Sequence, residues 1–117
     1  MNAEELKRRT KAFAAEMIRL TDQLPQGRSV DILSRQLIRS ATSVGANYRA
    51  ACRAKSRADF ISKIGNVEEE CDETIYWIEL LVDAQKIEPS LVAKQVSEAN
   101  ELLAITVASI NTARSRD

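Results

Sequence analysis

Residues 68 to 73 read E-E-E-C-D-E, and Glu79 and Asp83 follow further along the chain. Carboxylates converging inside a helical bundle can hold Mg²⁺ or a di-iron centre. A di-iron bundle needs Glu-x-x-His twice, and the chain contains no histidine. A helical nucleotide pyrophosphohydrolase needs E-x-x-E and then E-x-x-D. Glu70 and Glu73 supply the first pair, but Glu79 and Asp83 are four apart instead of three. The lack of histidine also removes Ser-His and Cys-His nucleophiles, and no glycine-rich phosphate loop is present. A Mg²⁺-dependent nucleoside triphosphate pyrophosphohydrolase is therefore the secondary reading. The primary expectation is a protein that is not an enzyme, with no catalytic residue, metal site or cofactor.

The second candidate chemistry is cationic. Arg35, Arg39, Arg49 and Arg53 recur on one side of a helical pattern, and Lys55 and Arg57 extend them into the following turn. Guanidinium groups in a row suit phosphate oxygens, and each neutralised phosphate releases counterions. RNA is the functional reading of this row. A solvated helix face, or ion pairs to acidic residues, is the structural alternative. Folding the chain back near Lys55 and Ser56 brings Arg39 level with Asp72, within reach of Glu69, Glu70 or Glu73. Such a pair would set helix register more than it adds stability. Aromatic residues are 4% of the chain, too few to build a platform for stacking single-stranded bases.

These groups must be positioned by helices, because apolar residues recur at steps of three and four throughout. The first helix is expected over about 4–24, where Pro25 and Gly27 end the stripe of Leu6, Phe13, Met17 and Leu20. The second spans about 30–54, with Val30, Leu37, Ala41, Val44 and Tyr48 on one face. The third spans about 57–86, opened by a capping-box-like Ser56 and Asp59. Pro89 starts the fourth, about 89–113, with Val92, Val96, Ala99, Leu103, Thr106 and Ile110 as its stripe. Short connections imply an all-α, antiparallel, up-down-up-down four-helix bundle in one domain, 1–117. Gly45 and Gly65 fall at nearly the same height on the second and third helices, which predicts a close backbone approach between them.

Tyr76 and Trp77 lie off the third stripe, and Leu91, Leu102 and Ile105 lie off the fourth. Excess apolar surface of this kind predicts a subunit interface. Hydrophobic residues make up 44% and charged residues 29%, which excludes a disordered chain. No apolar run approaches the roughly 20 residues of a membrane span, and the opening M-N-A-E-E-L-K-R-R-T is too charged for an export signal. A cytoplasmic protein without membrane contact is expected. Cys52 and Cys71 lack C-x-x-C spacing and are both expected to be small buried residues. The net charge is zero, yet residues 1–58 carry 12 Lys and Arg against 5 Asp and Glu, while residues 59–117 carry 5 against 12. Such asymmetry suits helices paired within a bundle, subunits joined head to tail, or a basic surface offered to an anion.

The segments R-S-A-T-S-V-G-A-N at 39–47 and D-E-T-I-Y-W-I at 72–78 resemble a bacterial family of small four-helix bundles. Its members were first noticed in intervening sequences of 23S ribosomal RNA genes, and the resemblance runs over about residues 3–113. It implies a homopentamer, a ring in which one face of a subunit meets a different face of the next, which the opposite charge of the two halves would suit. Similar proteins include an accessory factor of diversity-generating retroelements, a basic barrel that binds nucleic acid and a reverse transcriptase. This chain departs from that factor in its zero net charge. The expectation is a self-associating scaffold with RNA or ribonucleoprotein contact.

Overall fold

The computed structural model describes residues 1–116, and all its regular elements are helices: α1 (Ala3–Asp22), α2 (Arg28–Ala51), α3 (Arg57–Asp83) and α4 (Pro89–Arg114). Helices of this length are about 30–40 Å long at 1.5 Å per residue. The molecule measures 50 × 21 × 21 Å, so each short connection must reverse the chain, and the bundle is antiparallel. Each helix packs against its neighbours in sequence, and α4 returns to α1 to close the square. The diagonal pairs make no close backbone approach.

Local chemistry explains where the helices begin. The Asn2 side chain accepts from the Glu5 amide at 2.8 Å, and Ser56 accepts from the Asp59 amide at 3.0 Å. Asp59 in turn accepts from the Lys55 amide and from Lys63 Nζ, and these two donors hold its carboxyl below the usual carboxylate value. The first three helices end two or three residues short of the expected positions, and α4 ends at Arg114, one past its own. In α2 the ladder tightens after Ala51, with Arg53 and Ala54 amides bonding three residues back. In α3 the stop is Gln85, at φ 61°. Its amide bonds to Val82 and the Lys86 amide to Leu81, the Schellman pattern that usually carries glycine.

The core places Leu102 and Ala113 with Val92, Ala99, Thr106 and Ile110 on the inner arc of α4, and Val96 and Leu103 at its flank. Leu102, expected at a subunit interface, is 1% exposed and belongs to the subunit's own core. Both 99→102→106 and 99→103→106 are steps of three and four, so periodicity alone does not choose between the two leucines. Cys71 is buried as expected, whereas Cys52, at the C-cap of α2 just past its last helical residue, is exposed.

The expected approach of Gly45 to Gly65 does not occur. A Cβ on Gly45 would lie 3.2 Å from Thr10 Oγ1 on α1, whereas one on Gly65 would meet nothing within 4 Å. Gly45 lies on the side of α2 that faces α1, and the tight contact is there. Gly65→Ala is therefore expected to raise stability by about 1 kcal/mol through helix propensity alone. Gly45→Ala should forfeit much of that gain, since the Thr10 hydroxyl is fixed by the Leu6 carbonyl at 2.9 Å. Denaturation midpoints of the two variants decide it, and equal shifts would refute the close α1–α2 approach.

Candidate nucleic-acid interface

The cationic row of α2 divides in two. Arg39 turns toward α3, where its Nη1 lies 3.3 Å from Glu70 Oε2 and its Nη2 pairs with Glu73. Its Nε also donates to Gln36 at 3.0 Å, so the guanidinium is engaged on three sides. Glu69 is exposed and makes no ion pair with Arg39. Arg57 donates to the Arg116 carbonyl. Arg35, Arg49 and Arg53 are exposed and form no ion pair among the described residues, and the Lys55 side chain likewise forms none. The stripe seen in the sequence is thus part structural clamp and part open surface.

The α3 carboxylates are held by the same clamp. Glu73 accepts from Arg39 and from Trp77 Nε1 at 2.9 Å, and Glu70 faces Arg39. Oxygens that already face a guanidinium and an indole N–H are poorly placed for a divalent cation. Among the described residues no three His, Cys, Asp or Glu side chains converge in a metal-holding group. Glu79 and Asp83 do not complete one.

Trp77 is partly buried against the core, and Tyr76 packs its ring edge on it at 5.0 Å between centroids, 71° between planes. Tyr76 itself is 54% exposed. Ile32, seven residues before Arg39 and so on the same side of α2, is also exposed and lies level with Trp77 in the register of the Arg39 pairs. On α4, Leu91 is 45% exposed, whereas Ile105 is partly buried against the core.

Two groupings had no place in the sequence reading. Arg9 of α1 clamps α4, with Nε 2.7 Å from Glu98 Oε2 and Nη2 2.7 Å from Glu101 Oε1. Hydrogen bonds to these carboxylates raise the Arg9 guanidinium above its ordinary value. On the other side of α1, Lys7, Arg8 and Lys11 line a groove with Arg49 of α2. Counting levels across the α1–α2 connection, as across the next, would have set Arg49 beside these residues.

Comparison with known proteins follows the fold. The family model described as 23S rRNA-intervening sequence protein matches residues 4–108. A crystal structure of a protein of unknown function from the S23 ribosomal protein family of Bacteroides thetaiotaomicron VPI-5482 superposes with a TM-score of 0.87 at 32% identity. The alignment covers 95% of this chain and 99% of that one. No curated protein matches.

Proposed function

The chain belongs to the 23S rRNA-intervening sequence protein family, and from that premise we propose a non-enzymatic, self-associating scaffold, assembled as a homopentamer in the cytoplasm, that contacts RNA or a ribonucleoprotein. The observation that supports self-association is the rigid apolar patch on the α2–α3 face. Tyr76 rests on Trp77, Trp77 is tied to Glu73, and Glu73 is tied to Arg39. An aromatic held in one geometry loses little entropy when it is covered, and such anchors carry most of the energy of protein interfaces. Leu91 on α4 offers apolar surface to the complementary face of a ring contact. The RNA contact in this reading uses the open cations Arg35, Arg49, Arg53 and Lys55. Arg39 and Arg57 support the fold beside them. The hydrolase reading loses ground because Glu70 and Glu73 already face Arg39. Among the described residues no helix is long and apolar enough to cross a membrane.

Sedimentation velocity tests the assembly at roughly micromolar concentration, where an interface of standard size holds. The expected mass is about five times the 13.0 kDa of the chain. Tyr76→Glu places a charge in the patch and is expected to yield monomers of unchanged helicity. The emission of Trp77, the sole tryptophan, should shift to the red as its surroundings become wet. A wild-type protein that sediments as a monomer sinks the ring.

A further inference from the structure

The α1–α2 groove has an open volume of about 460 Å³, and its charge is lopsided. Four cations, Lys7, Arg8, Lys11 and Arg49, line it against one carboxylate, Glu4. Lys7 Nζ lies 3.2 Å from Glu4, but Arg8, Lys11 and Arg49 form no ion pair among the described residues. Outside the groove some cations of this electrically neutral chain are open, Arg35, Arg53 and Lys55 among them, and others are paired. Arg9, Arg19, Arg39 and Lys63 each meet a carboxylate within the subunit. Cations gathered from two helices in excess of their counter-charge repel one another, and an anion between them removes that repulsion.

The floor of the groove has the right shape for such an anion. Gly45 brings α2 against Thr10 of α1, and Ala14 and Ala46 keep the surface low on either side. Long cationic side chains can then fold over a group seated between the helices. No aromatic ring lines the groove, so a base would find no stacking partner there, and the site would read phosphate alone. We infer that the α1–α2 groove is a phosphate-binding site, taking either the phosphodiester backbone of RNA or a free polyphosphate. For its RNA arm the site rests on the contact proposed above. For its polyphosphate arm it stands independently.

The test uses the full chain and two probes, a fluorescein-labelled RNA hairpin followed by anisotropy and inorganic tripolyphosphate followed by calorimetry, both at about 0.15 M salt. Two variants separate the surfaces. Arg8→Glu with Lys11→Glu alters the groove alone, and Arg53→Glu alters the α2 row outside it. All three residues are exposed, and circular dichroism checks that helicity is retained. The groove variant is expected to weaken whichever probe binds by roughly tenfold or more, with a shallower salt dependence, whereas Arg53→Glu should leave tripolyphosphate binding within about threefold and weaken RNA binding by less than the groove variant does. Tripolyphosphate binding without RNA binding, lost in the groove variant, would uphold the groove and overturn the RNA contact, and tripolyphosphate binding intact in that variant would overturn the groove. RNA binding without tripolyphosphate binding, lost in the groove variant, would assign the site to the backbone. RNA binding lost in Arg53→Glu and intact in the groove variant would overturn the groove and leave the RNA contact standing. No binding of either probe would overturn both.

Discussion

Leu102→Ala is expected to destabilise the subunit by about 2–5 kcal/mol, the loss of buried side-chain atoms plus the cavity that remains. Leu102 is 1% exposed and sits on the core arc of α4 between Ala99 and Thr106. Small domains have a total stability of about 5–15 kcal/mol, so this one truncation should remove a large fraction of it. Leu91→Ala, on the same helix and 45% exposed, should change subunit stability by less than about 0.5 kcal/mol and act on assembly instead. Denaturant titration over a range of protein concentrations separates them, because the part of apparent stability that assembly adds depends on concentration. If Leu102→Ala dissociated the assembly at unchanged subunit stability, Leu102 would belong to the interface and the packing of α4 would have to be redrawn.

The case of Leu102 shows what periodicity carries and what it leaves open. The existence and order of four helices follow from apolar steps of three and four and from the punctuation at Pro25, Gly27, Ser56 and Pro89. Helix ends are less legible. The residue that stops α3 is Gln85, and nothing in its side chain advertises the left-handed conformation that a glycine there would have signalled. The clamp of Arg39 on Glu70 and Glu73 was within reach of a level count across one tight connection. Gly45 was misplaced by the same count, which gives height and not direction. It faces Thr10 on α1. The α1–α2 groove was hidden for a related reason. Lys7, Arg8 and Lys11 look like an ordinary solvated face until the neighbouring helix brings Arg49 beside them. Which cations stay open is decided by whether a carboxylate on the next helix can reach them, and that is a property of packing.

Raising the pH should expose the other buried seam. Cys71 is 0% exposed, with Sγ 3.2 Å from the Ala99 carbonyl of α4. Burial, assisted by the nearby charges of Asp72 and Glu98, pushes its thiol up from 9.0 to about 12. Below pH 9 both the folded and the unfolded chain keep this proton, and the thiol makes stability no function of pH. Above pH 9 the unfolded chain releases it and the folded chain does not, so stability falls by about 1.4 kcal/mol per unit until the folded thiol titrates near pH 12. By pH 11 the loss is on the order of 3 kcal/mol. Cys71→Ala removes this sensitivity while giving up about 1 kcal/mol of packing at neutral pH. The variant should therefore be the less stable protein at pH 7.5 and the more stable one at pH 11. Tyr48, whose phenol is raised first by burial and then by Cys52, contributes in both proteins and cancels from the comparison. Placing both on a Cys52→Ala background removes the exposed thiol. Urea midpoints that fall in parallel from pH 7.5 to pH 11 would sink the argument. A crossing would show that α3 and α4 are joined by a closed seam in which Cys71 is a packing residue, leaving Cys52 as the thiol open to reagents.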